Sequence, residues 1–188
     1  MNEALTTLLK RRSVRAFRDE QIKKEELEAI LECALYAPSA NNTQNWHFTV
    51  IQDKAMMEKV NGWILDGMNS SGDPKIQSVA KSTKASVFRN APCVVIVSTE
   101  KGDRFGVINI SAATQNILVA AEALGIGSCW IGSVGILASS DKVEEYSREL
   151  GIPEGYAPYF GITLGYRIST DQPAPPRKEG AVNYIPPR

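Results

Sequence analysis

The chain has 188 residues, a length suited to one domain, and its 43% hydrophobic content can supply a core without disulfide staples. Its 21 Lys and Arg balance 21 Asp and Glu, which argues against the basic surplus of a nucleic-acid protein. Three scattered cysteines without a CxxC pair (Cys33, Cys93, Cys129) and a single histidine, His47, argue against a metal site, and any Ser-His-Asp triad would have to run through His47.

Met1 to Lys10 holds a short amphipathic run and not the apolar core of a signal peptide. Asn2 is a candidate N-cap, and Leu5, Leu8 and Leu9 share one helical face. Lys10, Arg11, Arg12 and Arg15 then gather around Ser13, and Val14 to Phe17 reads as extended. Four cations in six residues repel one another and suit a site where an anion compensates them. Arg offers a planar fork for phosphate or carboxylate oxygens, and Ser adds a hydroxyl. The same residues also fit a solvated helix C-terminus, where the dipole favours cations.

A second helix is predicted from about Lys24, carrying Leu27, Ile30, Leu31, Ala34 and Leu35 on one face and stopped by Pro38. Trp46 to Ile51 alternates as a strand, and Asp53 caps a short helix through Val60. From Asn61 to Lys84 the pattern weakens, with a mobile loop at Asn69 to Pro74 between short helical pieces that reads as a lid or substrate-facing segment, or as a disordered surface insert. Cys93 to Ser98 is a β-branched run expected as a central strand buried on both faces. Ile108 to Leu124 is apolar nearly all round and predicts a buried helix ending at Gly125. Its Asn109, Gln115, Asn116 and Glu122 count against a membrane span, so a soluble, cytoplasmic protein is expected. Ser128 to Ile131 forms another strand, Asp141 with Glu144 reads as a capping box for a helix closed by Gly151, and Tyr159 to Tyr166 is a further strand. The tail with Pro173, Pro175, Pro176, Pro186 and Pro187 cannot be helical and needs a surface to lie on, for which a neighbouring subunit is the candidate. No repeat or linker divides the chain, so residues 1–188 are expected to form one α+β domain.

Between the second helix and the first strand lies Ala37-Pro38-Ser39-Ala40-Asn41-Asn42-Thr43-Gln44-Asn45-Trp46. Amide side chains suit the donor and acceptor edge of a heterocycle, and small residues let backbone approach a flat ring. Ordinary Asx-turn chemistry after a proline stop accounts for the same residues.

Together RRSVRAF at 11–17, APSANNTQNWHF at 37–48, GIGSCWIG at 125–132 and PPRK at 175–178 resemble the FMN-dependent nitroreductase family, in order and spacing over essentially the whole chain. The chain is similar to its shorter members and departs from a frequent pattern at Asn45, where proline usually follows the Gln. The resemblance implies a central, mostly antiparallel sheet flanked by helices, a homodimer with two FMN sites at its interface, and a C-terminal tail packed on the partner. It places Arg11, Arg12 and Ser13 at the FMN phosphate and ribityl chain, with Arg177 and Lys178 closing over the phosphate. It points Arg15 at the pyrimidine edge, where a cation favours the reduced ring. It lines the ring with Pro38, Ser39, Asn42 and Gln44, partly from the second subunit, and brings backbone groups of Ile131 and Gly132 near it. Cys129 and Trp130 read instead as buried strand, and His47 as structural.

The activity implied is ping-pong hydride transfer from NADH or NADPH through N5 of FMN to a nitroaromatic, quinone or similar electrophile. No catalytic side chain or metal is required. The chain lacks a G-x-G-x-x-G after a strand, and Gly125-Ile126-Gly127 follows a helix, so no Rossmann site for the nicotinamide nucleotide is expected. Other readings are a specialised flavin enzyme on the same fold, a flavin-binding or redox-sensing module without turnover, and an RNA or nucleotide binder built on the Arg cluster.

Overall fold

Residues 2–83, 86–169 and 173–187 are described in the computed structural model of the protein. Four strands, β1 (Trp46–Ile51), β2 (Cys93–Glu100), β3 (Gly127–Ile131) and β4 (Tyr156–Gly165), make one antiparallel sheet in the order β1-β2-β4-β3. The run Cys93 to Ser98 is the centre of this sheet, with β1 and β4 on either side. Its side chains alternate between two cores: Val94 and Ile96 point to one, Cys93, Val95 and Val97 to the other. All five are fully buried. Covering both faces is what allows an antiparallel strand to be apolar at successive positions. Burial also pushes the Cys93 thiol up to about 12, because the thiolate would sit in apolar surroundings.

Helices α1 (Glu3–Lys10) and α2 (Lys24–Leu35) begin and end close to expectation. The Asn2 side chain accepts the Leu5 amide at 3.0 Å, and Glu26 accepts the Lys23 amide at 3.0 Å. Tyr166 donates its hydroxyl to the same Glu26 at 2.6 Å, which lowers the carboxyl's pKa and raises the phenol's. That bond ties α2 to the chain just beyond β4.

The next segment departs from the sequence reading. Asp53 does cap a helix, accepting the Met56 amide at 2.7 Å, but α3 continues through Lys54–Asn69. Val60, Ile64 and Met68, spaced by four, bury one stripe against the sheet, and this packing outweighs the weak propensity of Gly62 and Gly67. Asp73 and Pro74 then open α4 (Pro74–Ser82) as N-cap and first-turn proline. The loop expected at Asn69 to Pro74 is thus a short turn between two helices, as read, and the departure is that α3 is longer than the short piece expected before it; Lys84 lies outside the described residues.

Helix α5 (Gly106–Ala123) packs with α2 on the face opposite α3. It stops as foreseen: Gly125 sits at φ +74 and donates to Glu122 O at 3.0 Å, while Ile126 donates to Ala121 O at 2.8 Å. After β3 a 3₁₀ stretch, Gly132–Ser139, buries Val134 and Leu137. The proposed Asp141 and Glu144 box is absent. Helix α6 (Val143–Glu149) starts from Lys142, and Ser140 Oγ accepts the Lys142 amide at 3.2 Å instead. Strand β4 begins three residues earlier than expected.

Residues 173–187 form no helix or strand and are exposed throughout. Leu5, Leu8 and Leu9 of α1 are 50%, 49% and 62% exposed, and α1 has no buried residue. An amphipathic helix whose apolar face meets solvent is unusual for an isolated chain.

Candidate functional site

The cationic segment is held on the outer edge of β3. Ser13 bridges Ser128, and the Val14 amide donates to Ser128 O at 2.8 Å. Further along, Phe17 bridges Arg167 and the Arg18 amide donates to Tyr166 O at 2.8 Å. Val14 and Phe17 are buried, which turns the intervening side chains outward. Glycine makes this approach feasible: a Cβ on Gly127 would stand 2.9 Å from Val14 Cγ1 and 3.0 Å from Gly165 O.

Arg12 folds back over the end of α1, its Nη1 donating to Leu9 O at 2.8 Å and Arg11 O at 2.7 Å. Its Nε is shielded from solvent and has no hydrogen-bond partner among the described residues. It borders a hollow of about 320 Å³ shared with Lys10, Val14, Glu122 and Arg167. Arg167 there donates to Glu122 at 2.8 Å. Arg11, Arg12 and Arg15 form no ion pair among the described residues. Arg15 is exposed, with one long contact of 3.4 Å to Ser13 O.

Segment 39–44 has an unusual backbone. Asn41, Asn42 and Gln44 lie at φ 53, 54 and 48, left-handed values that cost about 1–2 kcal/mol for a residue with a side chain. Ser39 Oγ accepts the Gln44 amide at 3.0 Å, Ser39 O accepts the Asn42 amide at 3.0 Å, and Gln44 Nε2 donates to Asn42 Oδ1 at 3.1 Å. Asn42, Gln44 and Pro38 are all exposed.

The predicted site residues fall into separate groups. Arg11, Arg12, Ser13 and Arg15 lie by the start of β3, and Ile131 and Gly132 at its other end. Gly132 is exposed, and a Cβ there would touch nothing within 4 Å. Pro38, Ser39, Asn42 and Gln44 precede β1, on the opposite edge of the sheet, three strand spacings or about 14 Å across. Because β1 and β3 run in opposite directions, this loop is also at the other end of the sheet from Ser13. Arg177 and Lys178 are on the exposed tail and form no ion pair among the described residues. One chain alone does not bring the twelve residues together.

The sequence profile of the Nitroreductase family matches residues 8–166. The chain belongs to the nitroreductase family. A nitroreductase from Bacteroides fragilis, solved with bound FMN, is 33% identical, with a TM-score of 0.90 over 98% of this chain and all of that one. A second FMN-bound nitroreductase, from Desulfitobacterium hafniense, is 31% identical, with a TM-score of 0.88 over 98% and 99% of the two chains. A relative from Archaeoglobus fulgidus, provisionally named NADH dehydrogenase/NAD(P)H nitroreductase, is 34% identical over 88% of this chain and 86% of its own.

In this nitroreductase-family chain the sequence reading missed what holds the 39–44 segment. Asn109, read there only as a polar interruption of an apolar helix, reaches back to the loop from α5, and Asn45 and Asp103 join it. A buried polar residue near the start of an apolar helix was the available signal. Cys129 is buried as expected, and Trp130 packs edge-on against Phe160 at 4.7 Å. His47 lies half-buried within β1. No helix among the described residues is long and apolar enough to cross a membrane.

Proposed function

We propose that the chain acts as one FMN-binding domain in a homodimer and as an NAD(P)H-dependent oxidoreductase that reduces a nitroaromatic, quinone or similar electrophile. The donor set fits the cofactor: among the described residues, three arginines without carboxylate partners and a serine hydroxyl stand at one place, with a shielded Arg12 Nε that lacks an acceptor, and a strained, amide-rich loop stands at another. The observation that carries the reading is the division of these groups between opposite edges of one sheet. A second copy related by a two-fold axis can bring one chain's arginines to the other's loop. The unpartnered apolar face of α1 and the exposed tail with Val182, Tyr184 and Ile185 support such a partner.

In this arrangement Arg11, Arg12 and Ser13 bind the phosphate and ribityl chain, with Arg177 and Lys178 from the tail as further cations. Arg15 sets a positive charge by the pyrimidine edge, which favours the reduced ring. Pro38, Ser39, Asn42 and Gln44 would line the ring, the two amides suited to its donor and acceptor edge, and Ile131 and Gly132 would offer it backbone groups. When bound, FMN supplies the two-electron chemistry, accepting from NADH or NADPH and delivering to the second substrate in a ping-pong cycle. No side chain need supply the proton, which solvent can deliver.

The test is the absorbance spectrum of the purified chain and its bleaching by NADH or NADPH without oxygen. A yellow dimer that bleaches and is reoxidised by a nitroaromatic or quinone is expected. A chain that stays colourless with excess FMN, or is a monomer at micromolar concentration by light scattering, refutes the proposal. Full FMN occupancy without turnover would make it a binding module.

A further inference from the structure

Asn109 and Asn45 are 2% and 6% exposed; Asn109 directs its amide to the 39–45 segment, and Asn45, the last residue of that segment, directs its own to Asn109 and Asp103. Asn109 Oδ1 accepts the Ala40 amide at 2.9 Å, and its Nδ2 donates to Asn45 Oδ1 at 2.9 Å and to Thr43 Oγ1 at 3.2 Å. Asn45 Nδ2 donates onward to Asp103 Oδ2, and the other Asp103 oxygen accepts the Phe105 amide at 2.9 Å, just before α5. The Thr99 hydroxyl donates to Asn45 O at 2.7 Å. Both oxygens and both nitrogens of the two buried amides therefore have partners, as a buried polar cluster requires.

Segment 39–44 needs such support. Three of its residues hold left-handed backbone without being glycine, a conformation that persists only where its surroundings over-determine it. The bonds within the loop, Ser39 to Gln44 and Asn42 to Gln44, are exposed to competing water. The bonds to Asn109 and Asn45 are buried or partly buried.

We infer that Asn109 and Asn45 are positioning residues: Asn109 directly from α5, and Asn45 through Asp103, clamp segment 39–44 to the start of α5 and set its shape before any cofactor arrives. The functional consequence rests on the FMN reading above; the clamp itself does not. If the loop holds its binding shape only part of the time, the apparent dissociation constant rises by the reciprocal of that fraction. An amide is needed at both positions because each donates and accepts at once. Aspartate at 109 would keep an acceptor for Ala40 but lose the donor to Asn45.

The experiment compares full-length Asn109→Ala, Asn45→Ala and the double variant with Ile117→Ala, which cuts a cavity two turns further along α5. Amide exchange in cofactor-free protein is read at Asn42 and Gln44, whose amides touch neither asparagine. Both single variants are expected to speed exchange there and to raise the FMN dissociation constant, each at least about tenfold, since each removes three hydrogen bonds and one buried bond alone carries nearly that effect. The double variant is expected to add little to either. Ile117→Ala is expected to lower Tm with exchange at 42 and 44 and FMN affinity unchanged. Unchanged exchange in the asparagine variants, additive effects in the double variant, or an equal response in Ile117→Ala would overturn the inference. Faster exchange with FMN affinity intact would overturn the positioning role toward the cofactor while leaving the clamp itself standing. Faster exchange in the variants of a chain whose wild type binds no FMN would leave the clamp standing and remove the cofactor reading.

Discussion

Gly127→Ala tests how the cationic segment is attached. An added Cβ would stand 2.9 Å from Val14 Cγ1, 3.0 Å from Gly165 O and 3.1 Å from Val14 Cβ. The Gly165 oxygen is backbone inside the sheet and yields little. Val14 is 4% exposed and β-branched, so it cannot rotate away without meeting its own packing. The strain therefore falls on the Val14 backbone and its 2.8 Å bond to Ser128 O. Overpacking of this kind costs about 1–3 kcal/mol and the weakened bond about 1 kcal/mol more. For a chain of this size that corresponds to a Tm lower by about 4–15 °C. The displaced segment carries Ser13 and the arginines, so FMN affinity should fall at least about tenfold, the effect of removing one charge-assisted hydrogen bond. Thermal unfolding of the cofactor-free chain and fluorescence titration with FMN measure the two effects separately. A Tm and an FMN affinity both equal to wild type would show that the segment is not seated against β3 as described. A lower Tm with FMN affinity intact would detach the segment from the cofactor.

Arg11→Ala and Arg12→Ala should each weaken FMN retention by about 1.5–3 kcal/mol, and unchanged affinity in both, measured by dialysis, would refute the phosphate assignment. Arg15→Ala should leave most of the binding and lower the flavin midpoint potential by about 30–60 mV, since the cation favours the reduced ring; a wild-type potential in dye equilibration would show that Arg15 does not face it. Cys93, with its thiol pushed up to about 12, should resist iodoacetamide at a pH of about 8.5, while exposed Cys33 reacts. Because the folded state favours the Cys93 thiol over the thiolate, the sign is fixed: its contribution to stability is whole below the unfolded pKa and declines as pH rises toward the folded one. Mass mapping that found Cys93 alkylated as fast as Cys33 would contradict its burial.

Much of this fold is written in local pattern. Asn2, Pro38 and Gly125 mark helix boundaries through capping and backbone restriction, which act within a few residues. The run Cys93 to Ser98 reveals a doubly covered strand because only burial on both faces tolerates successive β-branched residues. Reading fails where tertiary packing decides. Helix α3 runs past Val60 because Ile64 and Met68 find the sheet, and nothing local shows that surface. Asp141 and Glu144 have the spacing of a capping box, yet Ser140 and Lys142 start α6. At the site, the arginines and the amide loop were legible as residue types suited to phosphate and ring. Their placement on opposite edges of the sheet was not, since it follows from strand order. Asn109 was hidden for a related reason: its partners are more than sixty residues away.

The shared site is tested most directly by mixing two broken chains. Arg11→Ala/Arg12→Ala removes the cationic half, and Asn42→Ala/Gln44→Ala removes the amide half of the loop. Neither homodimer should hold FMN tightly, but a heterodimer of the two regains one intact site, so tight FMN binding should return on mixing and subunit exchange. If exchange is demonstrated by mass spectrometry and no binding returns, each site lies within a single chain and the shared-site account is wrong.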